Sequence, residues 1–177
     1  MPPRIVKAFN SGILARCPGA VGAGYCIERC MAAEIKIKLL DQGLSVPRYA
    51  HPGDAGLDLP SRVDIVIGPG QRAMVPTGIA VAIPEGFAGF VLPRSGLAAR
   101  HGIALVNSPG LIDAGYRGEL TAIMINTDRS EPFQIRRGDR IAQLVIQRIE
   151  EVTLTQVEDL DDTSRGHGGF GSTGLSA

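Results

Sequence analysis

The chain has 177 residues, of which 44% are hydrophobic, so it fits one globular domain with a sizeable core and has little room for a second. Its 18 basic and 18 acidic residues give a formal net charge of zero, which argues against binding nucleic acid or an anionic membrane through an overall field. No uninterrupted apolar stretch reaches the roughly 18 residues that a membrane helix needs, and we expect a soluble, cytoplasmic protein.

Residues 1–30 are rich in glycine, lack clear periodicity and contain all three cysteines of the chain. We predict a poorly structured extension over residues 1–33, and a natural start at Met31 would explain it. Cys26 and Cys30 do not predict a metal site, because no Cys or His pair at suitable spacing completes four ligands. Since the rest of the chain has no cysteine for a disulfide framework, a reducing compartment is the simpler prediction.

Short strands are predicted from Glu34 onward, where apolar and polar residues begin to alternate with a period of two. Turn sequences such as Gly68-Pro69-Gly70 and Pro84-Glu85-Gly86 separate the apolar runs. Several runs are apolar on both faces, which predicts central, well-buried strands. The predicted strands cover residues 35–39, 63–67, 79–83, 90–92, 120–126, 141–149 and 152–157.

Only residues 95–101 have a clear helical pattern. We therefore predict an all-β fold, a jelly-roll-like barrel or sandwich with one short helix, over residues 34–160. After Val157 the chain becomes acidic and then glycine-rich, with too little apolar surface to order itself. Residues 161–177 are predicted to form a flexible, glycine-rich C-terminal arm.

Five segments combine glycine with polar or charged residues. Each has an ordinary structural explanation by itself, because turns need glycine and surfaces carry arginine. The last segment has the glycine spacing of a P-loop, but Ser172 stands where the lysine belongs and no helical pattern follows, so a P-loop is not predicted. The segments are 55–59 (AGLDL), 93–98 (PRSGLA), 110–120 (GLIDAGYRGEL), 137–144 (RGDRIAQL) and 165–174 (RGHGGFGSTG).

Together and in this order, the five segments resemble the five motifs of the trimeric deoxyuridine triphosphatases (dUTPases). The resemblance runs from about Glu34 to the C-terminus. It implies hydrolysis of dUTP to dUMP and pyrophosphate, which supplies dUMP for thymidylate synthesis and keeps uracil out of DNA. It also implies a homotrimer with shared active sites, to which one subunit supplies Asp58, Arg94 and Gln143, a second the 110–120 segment and a third the arm.

Asp113 is the candidate general base, because a carboxylate within hydrogen-bond reach of a water can align it for in-line attack on the α-phosphorus. It resembles the catalytic aspartate of the family. Mg²⁺ is the expected cofactor and would be held mainly by phosphate oxygens and water. Asp58 resembles the carboxylate that orients such water from the outer shell, and a buried structural Asp is the alternative.

Arginine and free backbone amides ahead of a short helix favour bound anions, which makes Arg94 and Ser95 candidate phosphate contacts. The alternative is a Ser N-cap beside a solvent-exposed arginine. Gln143 is either a phosphate donor or an ordinary polar residue of a strand. Tyr116 is either the tyrosine that packs on deoxyribose in the family or an aromatic residue on a sheet surface. Phe170 is either a base-stacking ring or an anchor on a neighbouring subunit.

Segment 110–120 has the pattern of a β-hairpin whose fixed backbone groups would read the edge of uracil. The resemblance assigns substrate contacts to residues from several segments. The full set of expected substrate-binding residues is Arg94, Ser95, Gly96, Asn107, Leu111, Ile112, Asp113, Tyr116, Gln143, Arg165, Phe170, Gly171, Ser172 and Thr173.

Two other functions remain open at this point. A dCTP deaminase of the same superfamily would share the fold but use a glutamate near the hairpin, and Glu119 is the acid available there. A nucleotide-sensing regulatory protein would bind dUTP and a partner without hydrolysis. The Asp113 segment and the Phe170-bearing arm favour the triphosphatase over both.

Overall fold

The computed structural model of the protein describes residues 33–164 and residue 166. In this part of the chain, short strands joined by turns form nearly all of the regular structure, and one short helix interrupts them. The elements are β1 (Lys36–Leu39), β2 (Leu57–Pro60), β3 (Ile65–Ile67), β4 (Arg72–Ala82), β5 (Phe87–Pro93), α1 (Ser95–His101), β6 (Ile103–Leu105), β7 (Gly110–Ile112), β8 (Glu119–Asn126), β9 (Phe133–Ile135) and β10 (Arg140–Arg148).

The strands form two four-stranded sheets and one two-stranded ribbon, and the strand pairs are antiparallel. The first sheet has the order β1-β4-β8-β6, the second has the order β2-β10-β5-β7, and β3 pairs with β9. Neither four-stranded sheet closes on itself within the described residues. The all-β prediction is therefore confirmed in its sandwich form, with the predicted helix at residues 95–101.

One hydrophobic core lies between the two sheets. Each fully buried large aliphatic side chain contributes about 1.5 to 3 kcal/mol to stability. The side chains that meet there come from alternate positions of both sheets, among them Val75, Leu120 and Met124 from the first and Leu59, Val91 and Leu144 from the second.

β8 shows how the alternation selects the core face. Leu120 and Met124 are fully buried, whereas Ile123 and Ile125 on the opposite face are only partly buried. The prediction that such apolar runs are buried on both faces is therefore wrong for β8 in the single chain. The outward face of the first sheet instead keeps apolar side chains accessible, including Met74 and Val106, which are exposed.

A bulge interrupts β4 where it passes the start of β8. The register shifts between Pro76 and Ala80, and Gly78 has a φ of 73°, a left-handed conformation that favours glycine. The hydroxyl of Thr77 donates to the carbonyl of Leu120 at 2.7 Å, and the Leu40 amide donates to the Gly78 carbonyl at 2.8 Å. Hydrogen bonds with neighbouring segments therefore hold the bulge in a defined conformation.

The predicted strand at residues 152–157 is wrong. The structure has no strand there, and the apolar side chains of this stretch, including Val152 and Leu154, are exposed. The apolar and polar residues do alternate there, but no strand of the described residues lies beside the segment to supply hydrogen bonds and cover. The prediction for the N-terminal extension, residues 1–33, lies outside the described residues except for its last position. Over the described part of the chain, no helix combines the length and the apolar character that crossing a bilayer requires.

Candidate active site

Four polar side chains interlock on the second sheet and form what we call the Asp58 cluster: Asp58, Arg94, Arg140 and Gln143. Asp58 on β2 lies directly opposite Gln143 on β10, and the Gln143 amide donates to Oδ1 of Asp58 at 3.3 Å. Arg94 approaches the same oxygen at 3.1 Å, and Arg140 donates to Oδ2 at 3.0 Å. Two guanidinium groups face one carboxylate, which leaves a net positive charge suited to an anion.

Arg94 links the cluster to the start of α1. It occupies the N-cap position without a side-chain capping bond, and its Nη1 donates to the Arg140 carbonyl at 2.9 Å. The alternative of a Ser95 N-cap beside a solvent-exposed arginine is therefore wrong, because Ser95 is the first helical residue and Arg94 is ion-paired. A side chain added at Gly96 would meet only the flexible Arg100 guanidinium, at 3.0 Å, so the approach to this backbone is open.

A cavity of about 740 Å³ adjoins the cluster, within the usual range for small-molecule sites. Asp58 and Arg140 form part of its wall, and residues 43–50 form another part. A bidentate ion pair between Arg137 and Asp41, at 2.8 and 3.0 Å, ties the start of this segment to the turn before β10. Hydrogen bonds from Arg137 and from the Gly43 amide hold the pKa of Asp41 below its ordinary value of 3.8.

The other predicted residues lie on the segment between β7 and β8, which we call the Asp113 loop (residues 113–118). The Tyr116 amide donates to the Asp113 carbonyl at 3.0 Å, and the Tyr116 hydroxyl donates to the Glu119 carbonyl at 2.9 Å. The Asp113 side chain is exposed and receives no hydrogen bond from the described residues. It is therefore accessible to a ligand or a water.

The predicted hairpin at residues 110–120 is wrong. β7 pairs with β5 in the second sheet, whereas β8 pairs with β4 and β6 in the first. The Asp113 loop therefore crosses from one sheet to the other. Sequence alone suggested a hairpin because two short apolar runs flank a glycine-containing turn, and the pairing partners lie far away in the sequence.

The Asp58 cluster and the Asp113 loop are not brought together within one chain. Ile112 at the end of β7 lies opposite Gly89, whereas Arg94 follows Pro93 at the other end of β5. Arg94 comes five residue steps after Gly89, a distance of about 17 Å along β5. A site that uses both groups needs either a long ligand or more than one copy of the chain.

The structure places Leu111 and Ile112 on β7 and Asn107 in the turn before it, where Asn107 is exposed. Five predicted site residues of the arm lie outside the described residues: Arg165, Phe170, Gly171, Ser172 and Thr173. The described positions of the arm, 161–164 and 166, are exposed.

Sequence reasoning missed two contributors to the cluster. Arg140 stands in the 137–144 segment but received no role, although its place three residues before Gln143 was a usable signal. Gly56 is the second, since a Cβ there would lie 3.2 Å from Cβ and Cδ of Gln143. Glycine thus lets the Gln143 side chain lie close against the strand that carries Asp58.

Comparison with known proteins gives a consistent result. The dUTPase family model matches residues 42–174. The deoxyuridine 5'-triphosphate nucleotidohydrolase of Thermobifida fusca is 52% identical over 164 residues, which cover 91% of this chain and 92% of that protein. The Cutibacterium acnes protein of the same name is 59% identical over 133 residues, covering 75% of this chain and 88% of its own.

Solved structures agree. Staphylococcus bacteriophage 80alpha dUTPase with dUPNHPP superposes with a TM-score of 0.75 at 32% identity, covering 80% of this chain and 99% of the phage chain. A mutant dUTPase from phage phi11 of S. aureus, described as revealing the coordination of a structural Mg(II) ion, gives 0.68 at 30% identity and covers 73% and 99%. Because the family model spans most of the chain and the two relatives above are each more than half identical to it, this chain belongs to the dUTPase family.

Proposed function

We propose that the protein hydrolyses dUTP to dUMP and pyrophosphate. Family membership supports this activity, and the observation in the structure that carries it is the Asp58 cluster. Two arginines and an amide converge there on a single carboxylate. Charge-assisted hydrogen bonds from guanidinium groups are strong ligands for phosphate oxygens. The cluster would therefore hold the triphosphate, while the exposed Asp113 carboxylate would serve the reaction.

The chemical step would be in-line attack of water on the α-phosphorus. Asp113 is free to accept a proton from the attacking water, and Arg94 and Gln143 would orient the phosphates and stabilise the charge that spreads over them. The arm residues Arg165, Ser172 and Thr173 would donate to the terminal phosphate, and Phe170 would stack on the base. Closure of the arm would exclude other water.

Magnesium fits this site as an ion carried by the substrate. Among the described residues, no group of three acidic, His or Cys side chains could hold a metal ion by itself. The Asp58 oxygens already accept hydrogen bonds from Arg140 and Gln143 and are ion-paired with Arg94, so this carboxylate is better placed to accept from metal-bound water than to ligate directly. The ion would supply charge neutralisation of the triphosphate.

Uracil would be read by β7 and its flanks. β7 is an edge strand of the second sheet in the described structure, so one side of its backbone is not used by β5. Backbone groups of Leu111 and Ile112 and the Asn107 amide would pair with the uracil edge. Cytosine would leave donors and acceptors mispaired, at about 1 to 3 kcal/mol for each buried group.

We propose further that the active site is shared between copies in a homotrimer. The offset of about 17 Å along β5 between Gly89, which lies opposite the end of β7, and Arg94 supports this, since one nucleotide must reach both groups. The outward face of the first sheet supports it too, because Met74 and Val106 are exposed there. The alternating residues Val152 and Leu154 are 73% and 91% exposed, as expected of a segment that pairs as a strand with another copy of the chain.

Substrate assays test the activity. The purified protein with Mg²⁺ should release pyrophosphate from dUTP and little from dCTP, dTTP or UTP, and chelation of Mg²⁺ should abolish the release. Ammonia from dCTP would indicate a deaminase instead. Binding of dUTP with no product would indicate a nucleotide-sensing protein.

Mixing inactive variants tests the shared site. Asp113→Asn and Arg94→Ala proteins should each be inactive alone, but trimers reassembled from an equal mixture should regain about a quarter of wild-type activity, because a site can take Arg94 from one copy and Asp113 from another. The size of the assembly is measured by light scattering. No recovery in mixed trimers would show that both residues of a site come from the same copy.

A further inference from the structure

We propose that Glu119 and Arg62 are positioning residues for the Asp113 loop, so that an ion pair outside the substrate site sets the placement of Asp113 and Tyr116. This inference rests on the proposed function, since it concerns the catalysis and selectivity of that same site. It concerns Glu119, the residue that the deaminase alternative would need as its catalytic acid.

Glu119 is the first residue of β8 and directly follows the Asp113 loop. Its Oε1 accepts the Gly78 amide at 2.7 Å, and its Oε2 accepts Nη1 of Arg62 at 3.2 Å. Its side chain is 23% exposed and that of Arg62 is 40% exposed. Both carboxylate oxygens are therefore used inside the protein, which leaves this acid poorly suited to proton transfer on a substrate.

The Gly78 contact attaches the end of the loop to the β4 bulge. Gly78 is buried, and the Glu119 carboxylate supplies the acceptor for its amide. Arg62 holds the same bulge from a second direction, since its own amide donates to the Pro76 carbonyl at 2.8 Å while its guanidinium pairs with Glu119. One ion pair thus connects the β2–β3 connection, the bulge and the first residue after the loop.

The backbone of Glu119 in turn fixes the Tyr116 ring. The Tyr116 hydroxyl donates to the Glu119 carbonyl at 2.9 Å. The ring lies against Gly118, where a Cβ would come within 2.6 Å of the Tyr116 Cζ. Because the Tyr116 amide is bonded to the Asp113 carbonyl, a shift of Glu119 would move the Tyr116 ring, the candidate deoxyribose contact, together with the candidate base.

The chain offers a control at the opposite end of β8. Asp128 accepts the amides of Ser130 and Glu131, both at 2.9 Å, and these bonds shape the turn after the strand. Asp128→Ala should lower thermal stability without reaching the Asp113 loop. It therefore separates a general loss of stability from a loss of positioning.

The experiment measures kcat and KM for dUTP and for UTP in full-length wild type, Glu119→Ala, Glu119→Gln, Arg62→Ala and Asp128→Ala, well below each melting temperature. We expect Glu119→Ala to lower kcat for dUTP by about 10- to 100-fold, as for a misplaced reacting group, and to reduce the dUTP-over-UTP ratio of kcat/KM. Glu119→Gln keeps an oxygen for the Gly78 amide, so its kcat for dUTP and its dUTP-over-UTP ratio should lie between those of Glu119→Ala and wild type. Arg62→Ala should change both in the same direction, by less.

A purely structural role predicts a different result. Partial unfolding removes active protein and lowers the rates for both substrates equally, so the dUTP-over-UTP ratio stays constant, as it should in Asp128→Ala. A constant dUTP-over-UTP ratio in folded Glu119→Ala, whether or not kcat falls, would overturn the inference, and so would a constant ratio in Glu119→Gln and Arg62→Ala if Glu119→Ala does not fold. Absence of dUTP hydrolysis in the wild type would instead overturn the proposed function.

Discussion

The Asp58 cluster and the Asp113 loop are built in opposite ways. The cluster lies on the paired strands β2 and β10 and at the start of α1, and its carboxylate accepts hydrogen bonds from Arg140 and Gln143 and pairs with Arg94. The Asp113 loop spans the gap between two sheets, and its candidate base has an exposed side chain. The cluster is thus arranged before any ligand binds, whereas the loop forms hydrogen bonds with its own backbone and with Glu119 and leaves the Asp113 side chain exposed.

This difference fits two different tasks. A phosphate site gains from fixed donors, because they lose little freedom on binding. A general base must instead stay accessible to water and reach a substrate that another part of the protein holds. In the proposed trimer, this placement would let each chain contribute its cluster to one site and its loop to another.

The largest effect is expected at the loop. Asp113→Asn should lower kcat by about 10² to 10⁴, the usual contribution of a general base, while leaving the affinity for a non-hydrolysable dUTP analogue nearly unchanged. A pyrophosphate-release assay would measure kcat, and isothermal titration calorimetry would measure the affinity for the analogue. Because the side chain is exposed, the melting temperature should not fall. A variant that keeps its turnover would remove Asp113 from the mechanism.

A smaller effect is expected from breaking the cluster. Asp58→Ala removes the acceptor shared by Arg94, Arg140 and Gln143 and leaves two guanidinium groups close together. We expect a loss of about 1 to 3 kcal/mol in unfolding free energy, measured by urea denaturation, together with a higher KM for dUTP. Asp58→Asn is the matched variant and should be less destabilising. Equal stability of all three proteins would show that the cluster is not preorganised.

A still smaller effect should follow from Gly56→Ala. The added methyl group would press on Gln143, whose Cβ and Cδ would be 3.2 Å away. A shift of a few tenths of an ångström should raise KM for dUTP a few-fold while sparing kcat. Neither of two other glycines is a matched control. Gly53 has a φ of 90°, so alanine would be strained there, and Gly115 has open space and no positive φ but lies in the Asp113 loop. Loss of kcat with normal KM would contradict the assigned role of Gly56.

The smallest effect concerns the wall of the cavity beside the cluster. The pKa of Asp41 is lowered by its hydrogen bond from Arg137, so the folded state binds fewer protons than the unfolded state. The stability that this pair adds is present above pH 3.8 and is lost as the pH falls through the lower folded-state pKa. The melting temperature of wild type should therefore be slightly higher than that of Asp41→Asn at pH 6, and the two values should converge as the pH is lowered. A difference that grows toward low pH would contradict this sign.

Much of the fold and part of the site follow from local sequence. Alternation at residues 120–126 predicts β8, and the pattern at 95–101 predicts α1, because both depend on neighbours along the chain. The ordered motifs predict Asp58, Arg94 and Gln143 as site residues. Their mutual contacts were not predictable, since they depend on β2, β5 and β10 being adjacent in one sheet.

The sequence by itself determined the strand-rich class, the turns and the chemical groups available for phosphate and water. The tertiary structure decided that β7 and β8 belong to different sheets, that Glu119 is tied to Gly78 and Arg62, and that residues 152–157 have no strand beside them in the described part of the chain. The physical reason is that the alternation of side chains, with a period of two, depends only on residues next to each other in the sequence. Strand pairing joins backbone groups that are far apart in the sequence, and many different pairings are compatible with the same local pattern.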